Sequence, residues 1–427
     1  MNLEENIKKK VIFGREVISS EKDGKVILGN FLTGNTVKMT KDCYDAVCDC
    51  VNGEKTVSDF LSEYDADSRE YLEKLILLLL ERHILFAADH KKDFEFRKFG
   101  SVNLLLTNKC NLRCIHCCMD AGCDISENEL TTEEWKQVID KLAELDLSRV
   151  AVSGGEPLMR KDFYEISEYL REKLHAKLEL MTNGTLITEE NVDRLVDLYD
   201  GFSLSIDGVD EESCAAIRGK GTFSQIMRGI ELLKSRNVKR ISLSFTIVRQ
   251  NEDKSEEFVK FAEDLGVFPV RRYLDIVGRA ADHPELIPTD YARYEDSTLS
   301  CPIPDKGHYP PNKMPDCTAC NAGYCKVAID SKGDIYPCPA FVVPGYELGN
   351  MLQIDSFKDY VETEELFRHK GFEAFNDINP VHSEKCKDCP AKLFCVSCVF
   401  QSYIILNSKD REAKCNKRRE GLMSVWN

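Results

Sequence analysis

The sequence predicts an α/β protein with a mostly parallel sheet and further domains on either side of it. From residue 101 onward, short apolar runs alternate with stretches whose apolar residues recur every three to four positions. This alternation is typical of parallel strands joined by crossover helices, in an open sheet or an incomplete barrel, with ligands at the carboxyl ends of the strands. The strand candidates are Val102–Leu106, Arg149–Val152, Lys177–Met181, Phe202–Ile206, Ile241–Ile247 and Val267–Leu274.

The stretch after residue 130 shows the helical pattern between these strands most clearly. Thr131 and Glu134 have the spacing of a capping box, which predicts a helix start at this point. One apolar face with the helical period follows, formed by Trp135, Val138, Ile139, Leu142 and Leu145.

Residues 1–90 predict a small separate domain. Glycines separate short strand-like runs, and three helical patterns follow them. Three short strands and three helices indicate a winged-helix-like unit, and the charged stretch 89–98 is typical of a linker to a second domain, 91–285. The strand-like runs are Val11–Ser19, Val26–Leu32 and Thr36–Met39, and the helical patterns are Asp42–Val51, Val57–Tyr64 and Ser68–Phe86.

Composition narrows the class of protein further. The 427 residues carry 57 basic and 73 acidic side chains, a net charge of −16, which argues against a nucleic-acid partner. No signal peptide follows the N-terminal charges, and the apolar run Leu75–Leu80 is too short to span a membrane. We therefore expect a cytoplasmic protein, where the 19 cysteines more often bind metal than form disulfides.

Three of the cysteines directly follow the first strand of the sheet. Cys110, Cys114 and Cys117 form a CX3CX2C loop, where the active-site loop of a barrel would lie. An iron–sulfur cluster or a structural zinc ion is usually held by four cysteines. Three thiolates are one fewer, so one coordination position has no cysteine. The alternative is a zinc site completed by His116, Cys118 or a distant residue.

Polar residues also follow the next strands. Ser153–Pro157, with sequence SGGEP, comes after the second strand, and its glycines allow a ligand to approach the backbone. Asn183 follows the third strand, and Ser205 and Asp207 end the fourth. Because the carboxyl ends of parallel strands meet at one edge, we expect one shared site.

Residues 102–280 resemble the radical S-adenosylmethionine (SAM) enzymes, through CNLRCIHC and GGEP. The resemblance implies a partial (β/α)6 TIM barrel in which the three cysteines bind a [4Fe–4S] cluster and SAM chelates the fourth iron. Such enzymes cleave SAM reductively to a 5′-deoxyadenosyl radical, which abstracts hydrogen from an unactivated C–H bond. The implied SAM contacts are His116 for the adenine; Gly154, Gly155 and Glu156 for the methionyl amine; Asn183 at the third strand end; Ser205 and Asp207 for the ribose; and Arg218 for the carboxylate.

The region 286–427 is dense in cysteine, proline and glycine, and it resembles the SPASM extension of radical SAM enzymes. Its motifs are CX12GX4C, ending at Cys338, and CX2CX5CX2C, where the family usually has three residues between the last pair. By resemblance this extension holds two auxiliary [4Fe–4S] clusters; the alternative is a pair of zinc ribbons. The implied ligands are Cys320, Cys338 and Cys398, with Cys325 as fourth, for one cluster, and Cys386, Cys389, Cys395 and Cys415 for the other.

The remaining cysteines have no assigned ligand role. Those at 43, 48 and 50 lie in a predicted helix and are expected to be buried apolar residues. A thiol close to the substrate could donate a hydrogen atom to a carbon radical. The cysteines considered for that role are Cys118, Cys123, Cys214, Cys301 and Cys317.

The N-terminal segment resembles the RiPP recognition element, which binds the leader of ribosomally made, modified peptides. The resemblance lies in KVILGNFLTGNTVKMT, VCDCVNGEKTVSDFLSEY and the last helix through Leu80–Leu85. In such domains the leader adds as a strand to the sheet edge, which predicts Thr36–Thr40 as the edge. The alternative is a winged helix used for packing or dimerisation.

Together the resemblances imply a radical SAM/SPASM peptide maturase. It would bind a precursor through its leader, take electrons from a donor such as flavodoxin or ferredoxin, and require neither nucleic acid nor membrane. A thioether crosslink is the first expectation for the product, and a carbon–carbon crosslink is the second. The alternatives are a sulfatase-type formylglycine maturase and a non-catalytic metal-binding regulator.

Overall fold

The computed structural model describes residues 7–89, 99–123, 128–289, 320–396 and 398–427. The chain divides into two compact units. We call residues 1–98, 295–321 and 376–427 the terminal unit, and residues 99–294 and 322–375 the sheet unit. The predicted linker 89–98, apart from Asp89, and the cysteines 301 and 317 lie outside the described residues. The domain boundaries 1–90, 91–285 and 286–427 stay a prediction.

The N-terminal part of the terminal unit contains a three-stranded antiparallel sheet in the order β2-β3-β4 and a separate pair, β1 with β5. One apolar cluster packs this part together, with Val26, Leu28, Val47 and Leu79 almost fully buried. The elements are β1 (Val11–Phe13), β2 (Val17–Lys22), β3 (Lys25–Asn30), β4 (Thr36–Thr40), α1 (Lys41–Asn52), α2 (Val57–Leu61), α3 (Ala66–Glu81) and β5 (Leu85–Ala87).

Several predicted elements of this part end elsewhere in the structure; the helix predicted over Val57–Tyr64, for example, ends at Leu61. The run Val11–Ser19 is two strands, because the chain turns at Gly14, where Val17 N–H donates to the Gly14 carbonyl at 3.1 Å. The third helix ends at Glu81 rather than Phe86, because His83 adopts a positive φ of 55°. The three-stranded sheet and three helices were predicted, whereas the winged-helix class stays a prediction.

The sheet unit is built on an eight-stranded, mostly parallel sheet in the order β11-β10-β9-β8-β7-β6-β12-β13. Only β13 runs antiparallel to its neighbour. The strands are β6 (Ser101–Leu105), β7 (Arg149–Ser153), β8 (Lys177–Thr182), β9 (Gly201–Ser205), β10 (Ile241–Ile247), β11 (Phe268–Tyr273), β12 (Lys326–Ile329) and β13 (Ile335–Tyr336).

The six predicted parallel strands are thereby confirmed, and they lie side by side in chain order as an incomplete barrel requires. Helices separate them, and the predicted capping box of Thr131 and Glu134 is present at the start of the first. These helices are α4 (Thr132–Leu142), α5 (Phe163–Lys173), α6 (Val192–Leu198), α7 (Glu211–Arg218), α8 (Thr222–Ser235) and α9 (Ser255–Asp264).

The two faces of the parallel sheet differ in chemistry. Leu104, Val152 and Leu180 are paired in register and fully buried. Because successive side chains point to opposite faces, the register partners Ser205 and Ser244 lie on the other face. One face of the sheet is therefore apolar core, and the other carries small polar groups at its carboxyl-terminal edge.

The remaining chain forms short helices and turns. The predicted turn at Gly333, which has φ of 85°, joins β12 to β13. The predicted helix-like stretch 356–370 is broken, because Glu364 adopts a φ of 63°. No helix of the described part is long and apolar enough to cross a membrane. The helices are α10 (Phe357–Glu362), α11 (Glu365–Arg368), α12 (Lys370–Ile378), α13 (Val399–Leu406) and α14 (Arg411–Leu422).

Candidate functional site

The cysteine loop follows β6 at the carboxyl-terminal edge of the parallel sheet. Cys110 and Cys114 are buried, and Cys117 is half-buried. The loop closes on itself, because Cys110 N–H donates to the Gly122 carbonyl at 3.2 Å. The three thiols thus lie at the strand ends, where the sequence predicted them.

Nitrogen donors surround the three sulfur atoms. Leu112 N–H lies 3.4 Å from Cys110 Sγ, and Ala121 N–H lies 3.3 Å from Cys117 Sγ. Asn183 Nδ2 lies 3.8 Å from Cys110 Sγ, and Arg218 Nη1 lies 3.9 Å from Cys114 Sγ. Such N–H···S contacts stabilise thiolates and tune the potential of a bound cluster, so this donor set fits an iron–sulfur cluster.

Two glycines after β7 pack directly on the chain that enters the cysteine loop. Gly154 has a φ of 131°, and a Cβ there would lie 2.4 Å from the Thr107 carbonyl oxygen. A Cβ on Gly155 would lie 2.3 Å from the Lys109 carbonyl oxygen. Both positions therefore require glycine, and the GGEP turn and the cysteine loop form one continuous surface.

Glu156 is fully buried and faces the third strand end. Its carboxylate accepts hydrogen bonds from Thr182 Oγ1 at 2.8 Å, Asn183 N–H at 2.8 Å and Leu158 N–H at 3.2 Å. Burial raises the pKa of Glu156 to about 7, although these donors oppose the shift. Its oxygens are thus engaged within the protein, and the residue ties the GGEP turn to the end of β8.

A buried charged triplet follows β9. The Asp207 carboxylate lies 2.6 Å from His116 Nε2 and 2.7 Å from Arg218 Nε, and its other oxygen accepts from Thr246 N–H at 2.7 Å. Burial would raise the pKa of Asp207, but Arg218 and His116 hold it below its ordinary value. His116 Nδ1 is buried without a hydrogen-bond partner among the described residues, so it stays free for a ligand.

The structure therefore brings together every SAM-contacting residue that the sequence predicted, on one unit and at one sheet edge. Asn183 lies beside Cys110, and Ser205 is half-buried where β9 pairs with β10. The Arg218 side chain contacts Asp207 and Cys114. The individual roles toward SAM stay predictions.

Sequence reasoning missed two residues that follow β11. Gly278 has a φ of 58°, and a Cβ there would lie 2.3 Å from the Cys118 carbonyl oxygen. The buried Arg279 side chain donates to the Cys114 and Ala121 carbonyls, each at 2.7 Å. The dipeptide carries no recognisable local signal, because its partners lie more than 150 positions earlier in the chain.

Three further side chains lie near one another beside the loop, namely Cys118, Arg272 and Asp275. Cys118 and Arg272 keep exposed surface, yet burial raises the pKa of Cys118 to about 12 and lowers that of Arg272. Asp275, whose pKa burial raises to about 6, contributes to the same electrostatic environment.

In the terminal unit, four cysteines are mutual neighbours. Burial raises the pKa of Cys395 to about 12, with further upward contributions from Cys386, Cys389 and Cys415. These are the four ligands that the resemblance implied for one auxiliary cluster. Arg418 Nη1 donates to the Cys395 carbonyl at 2.5 Å and fixes that turn.

The ligands implied for the other auxiliary cluster are only partly located. Cys325 precedes β12 and Cys338 follows β13, so the hairpin register carries both to its open end. Cys320 is half-buried and Cys398 is exposed. That ligand set stays a prediction.

Across the described residues, no three His, Cys, Asp or Glu side chains are arranged to hold a metal ion together. In a [4Fe–4S] cluster each thiolate binds a different iron, so the ligands of a cluster are spaced more widely than those of a single ion. The chemistry of the donor set at Cys110, Cys114 and Cys117 fits such a cluster.

Two family models match this chain. The radical SAM superfamily model matches residues 104–265, and the SPASM iron–sulfur cluster-binding domain model matches residues 320–390. The chain belongs to the radical SAM superfamily and is an enzyme. SAM and iron–sulfur clusters are therefore its cofactors, and the alternative of a non-catalytic regulator is set aside.

Relatives include the mycofactocin maturase MftC of Mycolicibacterium smegmatis, 31% identical over 62% of this chain and 70% of that protein. The subtilosin biosynthesis protein AlbA of Bacillus subtilis is 24% identical over 88% of this chain and 86% of that protein. An AdoMet-dependent heme synthase of Methanosarcina barkeri is 28% identical over 70% of this chain and 90% of that protein. The names of these relatives point to different products.

Among solved structures, Streptococcus suis SuiB bound to S-adenosylmethionine has a similar fold. Its TM-score is 0.53 at 16% identity, over 94% of this chain and 98% of SuiB. The similarity extends to the fold and supports the α/β architecture with its mostly parallel sheet.

Proposed function

We propose that this enzyme is a peptide maturase that binds a ribosomally made precursor through its leader and installs a crosslink. The single observation that carries the proposal is the edge of the N-terminal sheet. β4 is the outer strand in the order β2-β3-β4 of the described residues, and it is the strand at which the resemblance predicts that a leader would add. A maturase and a bacteriocin biosynthesis protein among the relatives support the same substrate class.

An exposed apolar stripe on α3 adds to this edge. Tyr71 is 56% exposed and Leu78 is 37% exposed, and a spacing of seven residues puts them on one helix face. Cys43, three residues after β4, raises the pKa of Tyr71, so the stripe begins close to the end of the edge strand. An extended peptide would gain main-chain hydrogen bonds from β4 and apolar contacts from α3.

At the sheet edge, the chain's own residues would hold SAM and orient the substrate. A reduced cluster supplies the electron that cleaves the sulfonium of SAM. The Glu156 oxygens are engaged by Thr182, Asn183 and Leu158, so the backbone carbonyls of the GGEP turn are left to accept from the methionyl amine. His116, held by Asp207, presents its free Nδ1 for the adenine.

We infer the type of crosslink from the proposed peptide substrate and not from the geometry of the site. A thioether between a cysteine sulfur and a carbon of the peptide is our first proposal, and a carbon–carbon crosslink between side chains is our second. The polar side chains on the sheet face that carries Ser205 and Ser244 would position the peptide.

The test uses full-length enzyme, reconstituted anaerobically, and as precursor the peptide encoded by a short Cys-rich open reading frame that is first to be sought beside its gene. With dithionite and SAM we expect release of 5′-deoxyadenosine, and with the precursor a loss of two hydrogens by mass spectrometry. A labelled leader should bind the full chain and not a chain that lacks residues before Asp89. Unmodified precursor together with full 5′-deoxyadenosine release would contradict the peptide substrate.

A matched pair of substitutions tests the leader surface. Leu78→Glu should weaken leader binding about tenfold, because it places a charge on the apolar stripe. Phe268→Glu is the control, since Phe268 is 62% exposed and belongs to the sheet unit. Equal affinities of the two variants would refute the role of α3 in leader binding.

A further inference from the structure

The segment after β11 lies against the backbone of the cysteine loop. Gly278, at φ of 58°, approaches so closely that a Cβ would lie 2.3 Å from the Cys118 carbonyl oxygen and 2.8 Å from that of Cys117. A left-handed backbone and this lack of space both require glycine. The approach places the next residue, Arg279, directly behind the loop.

Arg279 makes four polar contacts with the loop. Its backbone N–H donates to the Cys117 carbonyl at 3.0 Å. Its guanidinium donates through Nη1 to the Cys114 carbonyl and through Nη2 to the Ala121 carbonyl, each at 2.7 Å. Nη2 also lies 2.8 Å from Asp120 Oδ1.

These contacts reach the peptide groups beside two of the three predicted iron ligands, and they reach no sulfur atom. Ala121 links the two sets, since its N–H lies 3.3 Å from Cys117 Sγ while its carbonyl accepts from Arg279. The loop itself is irregular and contains a positive φ of 51° at Asp120. A rigid external partner is therefore needed to hold it in one conformation.

Charge gives Arg279 a second effect. The Arg279 side chain is 8% exposed, whereas the side chain of its counter-ion Asp120 is 63% exposed, so water screens the carboxylate far more than the cation. A buried cation next to a cluster of thiolates stabilises the reduced, more negative form of that cluster.

We propose that Arg279 is a positioning residue for the SAM-binding cluster, which fixes the cysteine loop and raises the reduction potential of the cluster. The inference rests on the proposed role of Cys110, Cys114 and Cys117 as iron ligands. It goes beyond that role, because the residue acts through backbone carbonyls and an unscreened charge.

The experiment compares Arg279→Lys, Arg279→Gln and Asp120→Asn in full-length enzyme reconstituted anaerobically. Lysine keeps the charge but loses the two-nitrogen fork, so we expect about tenfold faster loss of iron to a chelator with a nearly unchanged potential. The Arg279→Gln enzyme should also lose iron faster, and the reduction potential of its cluster should be lower than in the parent enzyme. Asp120→Asn removes the counter-charge and should shift the potential upward, with iron retention close to that of the parent enzyme.

The potential is followed by the electron paramagnetic resonance signal that changes on addition of SAM, which isolates this cluster from any others. Arg271→Lys is the control, because Arg271 lies on β11, the strand that precedes Arg279, but pairs with the exposed Glu256 at 2.6 Å. Shifts of the same sign in Arg279→Gln and Asp120→Asn would overturn the electrostatic role, and parent-like iron retention in Arg279→Lys would overturn the positioning role. Neither readout needs a peptide substrate, so failure here is distinguishable from failure of the proposed function.

Discussion

The cysteine loop of the sheet unit and the cysteine group of the terminal unit, which are predicted to bind clusters, lie in different structural surroundings. Cys110, Cys114 and Cys117 follow one strand, and the ends of neighbouring strands supply their surroundings. Cys386, Cys389 and Cys395 lie in short turns with little regular structure of their own. From this comparison we propose that the sheet forms the first site before a cluster binds, whereas order at the second predicted site depends on the cluster that it is expected to hold.

The largest effect on activity and iron content is expected from substitution of a cysteine in the cysteine loop. Cys114→Ser should abolish 5′-deoxyadenosine release and lower iron by about four atoms from about twelve per chain, because one ligand of three is lost. Iron analysis and chromatography of the nucleoside measure both. Cys214→Ala is the control, since Cys214 is buried on α7 and belongs to no predicted cluster. Normal nucleoside release from Cys114→Ser would contradict the ligand assignment.

If the sheet forms the first site before a cluster binds, the buried charged side chains of that site must neutralise one another within the protein. Asp207→Asn leaves the Arg218 guanidinium buried without its carboxylate, which should lower the free energy of unfolding of the sheet unit by about 3 kcal/mol. Urea unfolding with hydrogen exchange of β7–β10 measures this. Asp193→Asn, which breaks the exposed pair with Arg236, should cost below about 1 kcal/mol. A similar cost for both variants would argue against a balanced triplet.

If the cysteine group of the terminal unit holds the predicted cluster, loss of that cluster should change the N-terminal sheet of the same unit. Ser20 Oγ and Trp426 Nε1 both donate to the carbonyl of Pro390, directly after Cys389. Cys395→Ser should therefore remove about four irons and speed hydrogen exchange of β2 and β3, while SAM cleavage without peptide continues. Unchanged exchange in these strands would show that the group is preorganised like the loop.

A smaller effect is expected from pH. Burial lowers the pKa of His382 to about 4, and its ring packs edge-on against Phe31 in the terminal unit. Between pH 6.5 and 4 the unfolded chain takes up a proton that the folded chain excludes, so stability is full above about pH 6.5 and falls with acidification. From pH 7 to pH 5 the loss is ~2 kcal/mol.

His382→Gln should remove this part of the pH dependence, while stability of the sheet unit stays as in the parent. Urea unfolding at both pH values, with hydrogen exchange of β2–β4 as the local readout, provides the measurement. The same loss in parent and variant would assign the effect to other groups.

The sequence predicted those parts of the site that depend on short motifs or on local periodicity. The six parallel strands, the cysteine loop and the GGEP turn follow from periodicity and short motifs, and each lies where it was expected. The donors to Glu156 and the role of Arg279 were not predictable, because these contacts join residues that are 27 and 165 positions apart in the chain. Only the folded sheet brings such partners together.

The positions of the two tryptophans have a practical consequence. Trp135 lies in the core of the sheet unit, and Trp426 is buried in the terminal unit beside Pro390. Each unit therefore contains one tryptophan. Because iron–sulfur chromophores quench indole emission, Trp135→Phe would make Trp426 a reporter of cluster loading in its own unit, without any label.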